Sequence, residues 1–211
     1  MMVFTTHCSK SRWPSWLAWL LAVLLCVTAA CTVRAEGSSS PVPDIKLERN
    51  DEGVWLSTTL KFELPGVVED ALLKGIPVHF VADVDVFRDR WYWFNRKVSS
   101  VQRRFRLAYH PLTRRWRLNV TEGEASDSEQ GLTLNQNFEN LQDAMNAAQR
   151  FSHWRIVDAS HLEAGAKHWV EFRFRLDVAQ LPRPLQIGTL GQSDWQISMT
   201  AGKVLPLESA Q

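Results

Sequence analysis

Cysteine is confined to one end of this 211-residue chain: Cys8, Cys26 and Cys31 all fall within the first 35 residues. The rest can form no disulfide, no thiolate nucleophile and no cysteine metal site. A basic excess is missing as well. The chain has 24 Lys+Arg against 23 Asp+Glu, and residues 1–35 hold three of the basic side chains (Lys10, Arg12, Arg34) and no acidic one. Residues 36–211 are therefore left with 21 basic against 23 acidic groups, a formal charge of −2. A nucleic-acid binder carries a clear positive balance, so no nucleic-acid partner is expected. Also absent are a Gly-x-Ser-x-Gly elbow, a His-Glu-x-x-His pair, a phosphate-binding glycine loop and a dinucleotide fingerprint. His79, His110, His153, His161 and His168 include no pair at a recognised metal spacing. No catalytic residue, metal or cofactor is assigned, and the expected class is non-enzymatic.

What the N-terminus does hold is the layout of an export signal. Lys10 and Arg12 precede residues 13–30, which are apolar but for Pro14, Ser15, Cys26 and Thr28. Val33-Arg34-Ala35 then suits a signal peptidase, with cleavage before Glu36. Residues 1–35 are expected to be a secretory signal peptide, 36–43 a flexible leader, 44–200 one strand-rich domain and 201–211 a tail. The expected location is the periplasm. An uncleaved anchor, for which roughly 20 apolar residues suffice, stands as an alternative, as does lipidation of Cys31. The sequence shows no second apolar span, internal repeat or long low-complexity tract.

Beyond residue 44 the chain alternates with period two, the mark of strands with one face buried. Strands are predicted over 45–49, 54–62, 78–86, 91–98, 102–110, 114–120, 132–135, 154–158, 169–177 and 195–199. Asn50-Asp51-Glu52-Gly53 suits a tight turn, and the acidic stretch 121–131 reads as a mobile loop. Two short helices are predicted. One spans about 66–74, with Pro65 at its start, Gly75 as its terminating glycine and Pro77 beyond. The other spans about 141–150, with Asn140 as N-cap and Leu141, Ala144, Met145 and Ala148 on one face. The expected fold class is α+β, mostly antiparallel β: a β-sandwich-like or curved sheet with two short helices.

Alternation also sorts the candidate contacts. Arg104 and Arg106 share one strand face, Arg115 and Arg117 another, Arg173 and Arg175 a third, with apolar sets opposite each. On neighbouring strands they would form a basic stripe for phosphates or carboxylates. The competing reading pairs them across strands with Asp83, Asp85, Glu171 or Asp177. In Arg90-Trp91-Tyr92-Trp93-Phe94, Trp91 and Trp93 share a side and suit either a half-wet contact or a covered hairpin. Asp83 and Asp85 share a face, as a carboxylate pair for acid–base work would, although pairing with the arginines is simpler. Asn119-Val120-Thr121 matches a glycosylation sequon.

Several blocks carry a resemblance. They are Leu72-Leu73-Lys74-Gly75-Ile76-Pro77-Val78, Trp91-Tyr92-Trp93-Phe94-Asn95-Arg96-Lys97-Val98, Arg106-Leu107-Ala108-Tyr109-His110-Pro111, Phe172-Arg173-Phe174-Arg175-Leu176-Asp177 and Gln180-Leu181-Pro182-Arg183-Pro184-Leu185, followed by Ser193-Asp194-Trp195. Over roughly 44–199 the chain resembles an uncharacterised family of exported bacterial proteins with a domain of unknown function, some labelled proline-rich signal peptide proteins. The resemblance implies export and brings no activity, ligand or site residue. Members are often encoded beside a membrane sensor kinase of the nitrogen-regulation type, which implies envelope signalling as a setting. The leading expectation is an exported domain that binds an envelope or membrane protein partner, or an anionic lipid or polysaccharide. The alternatives are an exported carboxylate-dependent hydrolase and an accessory partner of a sensor kinase.

Overall fold

The chain first reverses at Asn50, whose Oδ1 accepts the backbone N–H groups of Glu52 and Gly53 at 3.0 Å each. This side-chain turn joins β1 (Lys46–Asn50) to β2 (Gly53–Thr59). The computed structural model describes residues 43–89, 95–124, 132–163, 165–189 and 195–206. On its other side β2 pairs with β7 (Arg150–Asp158). A Cβ on Gly53 would lie 2.2 Å from the Val157 carbonyl oxygen, so glycine is what allows the two strands to close there.

The second sheet has six strands. In spatial order they are β6 (Leu132–Phe138), β5 (Arg115–Glu124), β4 (Arg96–His110), β3 (Val78–Arg88), β8 (His168–Leu176) and β9 (Ser198–Val204), every pairing antiparallel. As alternation requires, Val78, Phe80, Ala82, Val84 and Val86 face inward and are all fully buried. Phe105, Phe172 and Phe174 from the neighbouring strands join them. Phe151 of β7 meets Phe105 and Phe172 edge-on, with centroids 5.5 and 5.4 Å apart. The two sheets thus share one core, in which each buried aromatic contributes on the order of 1.5–3 kcal/mol. The fold is α+β and mostly antiparallel, as the sequence predicted.

Three α-helices complete it among the described residues. Helix α1 (Gly66–Leu73) buries Val68, Ala71 and Leu72. It ends where Gly75, at φ 82°, lets its N–H reach the Leu72 carbonyl and that of Ile76 reach Ala71. Helix α2 (Leu141–Gln149) starts at Asn140, which accepts the Asp143 N–H at 2.8 Å and buries Ala144, Met145 and Ala148. Helix α3 (Arg183–Thr189), with Pro182 just before it and Pro184 in its first turn, is absent from the expectations. Both prolines stand at the start, where their missing N–H costs nothing, and the Pro182 carbonyl accepts from Leu185 at 2.9 Å.

Other differences concern boundaries. The strands predicted over 91–98 and 102–110 merge into β4, because Ser99, Ser100 and Val101 pair with Val86, Asp85 and Val84. Residues 90–94, including Trp91 and Trp93, lie outside the described residues, as do 1–42. Residues 121–124, predicted as loop, continue β5, while 125–131 are not described. Strand β7 leaves α2 directly at Arg150, four residues before the predicted start at 154. The predicted 195–199 strand begins at Ser198 and runs to Val204, so residues expected in a tail pair with β8. Leu205 is buried, with its N–H on the His168 carbonyl. No helix among the described residues is long and apolar enough to cross a membrane.

Candidate functional site

The six-stranded sheet turns one face to the core and carries the predicted arginines on the other. Strand order brings Arg173 and Arg175 of β8 beside Asp83 and Asp85 of β3. Arg173 binds Asp85 at 2.7 Å and lies 3.7 Å from Glu171, and Arg175 pairs with Asp83. Asp85 also takes Lys97 at 2.8 Å and the Ser100 hydroxyl at 2.6 Å, and Gln102 donates to Asp83 at 2.5 Å. Burial alone would raise the Asp85 carboxyl. The hydrogen bonds from Lys97 and Ser100, with the charges of Lys97 and Arg173, outweigh it and hold the group below its ordinary range. On this half of the face the cross-strand pairing foreseen for the arginines is what occurs.

The β4–β5 half is different. Arg106 lies opposite Asn119, Arg104 opposite Thr121, Arg117 opposite the small, buried Ala108, and Arg115 opposite His110. All four arginines are exposed. Arg115 comes only within 4.0 Å of the exposed Glu139, a pair worth little in water. Among the described residues, Arg104, Arg106 and Arg117 have no carboxylate partner. Arg104 donates to Gln102 at 2.6 Å and Arg117 to Asn137 at 3.3 Å. Asn119, Asn135 and Asn137, with Thr121 and Thr133, extend the polar surface across β6. His79, opposite Arg106, is held below its ordinary pKa by burial and then by the Arg106 charge, against a smaller pull from Asp177. It therefore adds a neutral ring to a cationic neighbourhood at neutral pH.

Arg103 faces the other way. Its parity matches Phe105, and its guanidinium lies on the core side, 4.6 Å over the Trp154 ring and 5.6 Å from Phe151. Its side chain is 11% exposed and pairs with Glu122. Burial lowers its pKa, which the Glu122 charge partly offsets. Alternation through Gln102, Arg103 and Arg104 marks this inward position, which is not among the expected arginine pairs.

A cleft of about 620 Å³ opens between β4 and β7, lined by residues 97–101 and by Arg155, Ile156, Val157, Asp158 and His161. A smaller one beside it adds Arg88, Arg96 and Glu163. Asp83 and Asp85 line neither, their carboxylates being held in the ion pairs above. Among the described residues no three His, Cys, Asp or Glu side chains form a metal-capable group. Asn119 of the sequon sits within β5, paired on both sides.

The family domain described as "Domain of unknown function (DUF4390)" matches residues 38–204, which includes the nine strands found among the described residues. The chain belongs to this family. The matched span ends at Val204, the last residue of β9, so family and fold agree on a domain reaching past position 200. No curated protein and no solved structure matches the chain.

Proposed function

We propose that this DUF4390 protein is an exported, non-enzymatic binding domain that uses the β4–β5 half of its large sheet to hold an anionic lipid surface. The observation that carries this reading is the set Arg104, Arg106 and Arg117, exposed on adjacent strands without a carboxylate partner among the described residues. They stand out against a chain whose residues 36–211 are slightly acidic. Guanidinium groups chelate phosphate oxygens in pairs, and an open sheet face suits an extended headgroup plane. The signal-like N-terminus supports an envelope setting.

Vesicle co-sedimentation tests it. Binding is expected to phosphatidylglycerol vesicles and not to phosphatidylcholine, and to weaken with salt. Each cation near an anionic surface contributes about 1 kcal/mol, so replacing Arg104, Arg106 and Arg117 with Ser should weaken binding about 100-fold. Equal sedimentation of the triple variant, or equal binding to both lipids, would end the reading.

A further inference from the structure

The other half of the outer face, toward β9, is built differently. Among the described residues Trp169 of β8 is the one exposed aromatic, at 40%. It stands between Phe87 of β3 and Val204 of β9 in one cross-strand row, and Val204 is exposed as well. The indole leans along the sheet onto Gly202, the residue opposite Glu171. A Cβ on Gly202 would lie 2.8 and 2.9 Å from Trp169 Cε2 and Cη2, and closer still to Cζ2. Gly202 sits inside β9 without a positive φ, so space for the ring, not backbone freedom, is what calls for glycine there. One side of the six-membered ring is thus seated on main chain, and the other turns to solvent.

The surroundings of the ring are polar without a charge excess. The next row along the face holds Asp85 and Glu171, and the one after it Asp83, Arg173 and Thr200. Lys97, Arg173 and Arg175 pair with Asp83, Asp85 and Glu171, so the cations and carboxylates balance. A balanced surface draws no anionic headgroup, unlike the arginines of β4 and β5. It does fix hydrogen-bonding groups in place. Glu171, 31% exposed, offers acceptors, Arg173, 44% exposed, offers donors, and the exposed Thr200 hydroxyl offers both. A flat apolar plate bordered by fixed donors and acceptors matches a molecule with one apolar face and a hydroxylated rim.

We infer that Trp169 is a saccharide platform, on which a pyranose unit of a neutral glycan stacks over Gly202. A pyranose with equatorial hydroxyls shows axial C–H bonds on its face, and these slightly positive groups meet the negative face of the indole. Its hydroxyls bond to Glu171, Arg173 and Thr200. Phe87 and Val204 carry the apolar row on either side, toward the adjoining units of the chain.

The test is calorimetric titration of the purified protein with cellotetraose, a chain of equatorial pyranoses, and with inulotetraose, whose furanose rings lack the flat six-membered face. Cellotetraose is expected to bind with a dissociation constant of about 0.1–1 mM, and inulotetraose about 10-fold or more weakly. Saturation-transfer NMR should mark the axial C–H protons of the bound sugar above the others. Trp169→Ala should weaken binding about 10-fold or more, and Trp169→Phe less, with the circular dichroism unchanged. Gly202→Ala keeps the indole but lifts it from the sheet, and should weaken binding about 3-fold or more. Replacing Arg104, Arg106 and Arg117 with Ser should leave sugar binding intact, and Trp169→Ala should leave vesicle sedimentation intact, so this site and the lipid reading fail separately. Full binding by a folded Trp169→Ala protein, equal binding of the two sugars, or no saturable binding up to about 10 mM cellotetraose would overturn the inference. Loss of vesicle sedimentation in Trp169→Ala would overturn it too, by making the ring a membrane contact.

Discussion

Replacing Arg103 with Ala should destabilise the protein far more than the same change at its neighbour Arg104. The Arg103 guanidinium lies over two rings, Trp154 at 4.6 Å and Phe151 at 5.6 Å. Cation–π contacts are worth about 0.5–1 kcal/mol when exposed and about 2 when desolvated, and this side chain is 11% exposed. Truncation also removes the pair with Glu122, which is itself 47% exposed and so adds less than about 1 kcal/mol. Against these losses stands relief of burial, since the Arg103 Nε has no hydrogen-bond partner. The balance is a loss of about 2–3 kcal/mol, mostly packing between the sheets. Arg104→Ala should stay within about 0.5 kcal/mol of the parent. Arg103→Lys keeps the charge but not the flat stacking group and should fall between the two. Arg103→Met should recover much of the loss, because an apolar side chain avoids the desolvation penalty. Urea unfolding followed by tryptophan fluorescence measures all four. An Arg103→Ala midpoint indistinguishable from the parent, or equal losses at positions 103 and 104, would refute the inward placement.

Three further outcomes are expected. Gly75→Ala should cost about 1 kcal/mol or somewhat more in urea unfolding, because φ 82° in the helix-ending turn is strained for any residue with a Cβ. Asn140→Ala should cost about 1 kcal/mol through loss of the cap on the Asp143 N–H, while Asn140→Ser should restore most of it. The third concerns pH. His168 is held below its ordinary value near 6.5 by burial, with lesser lowering from Arg49 and Arg88, against a hydrogen bond to the Ala166 carbonyl that raises it. The unfolded chain then binds the proton more readily, so this contribution to stability is complete above about pH 6.5 and declines as pH falls toward the folded value. His79 shifts in the same direction, so His168→Gln should reduce, without abolishing, the fall in urea midpoint between neutral pH and about pH 5.

Much of the fold could be read locally. The Asn50–Gly53 turn, the Asn140 cap and the Gly75 terminator each depend on a few adjacent residues, and each stands where its chemistry placed it. Boundaries were less legible. Ser99 and Ser100 look like a break between two strands, yet their pairing with Val86 and Asp85 carries β4 through without interruption. The second strand of a pair supplies that information, and it lies elsewhere in the chain. The third helix was hidden for a related reason, since whether Pro182 and Pro184 break a helix or open one depends on where the first turn starts.

For the candidate surface the division is sharper. Alternation alone put Arg104, Arg106, Arg115, Arg117, Arg173 and Arg175 opposite apolar sets, because side-chain direction in a strand is a property of the local backbone. It could not say which arginines meet carboxylates. That followed from strand order, which set β8 against β3, so that Asp83 and Asp85 engage Arg175 and Arg173, and left β4 and β5 to face each other with arginine, asparagine and threonine. The cleft between β4 and β7 has no sequence signal, because its walls come from different sheets, more than fifty residues apart in the chain at Ser99 and Ile156. By itself the sequence determined which way each side chain points. Tertiary structure decided what it meets, because partners across a sheet or between sheets are chosen by long-range pairing that no local pattern encodes.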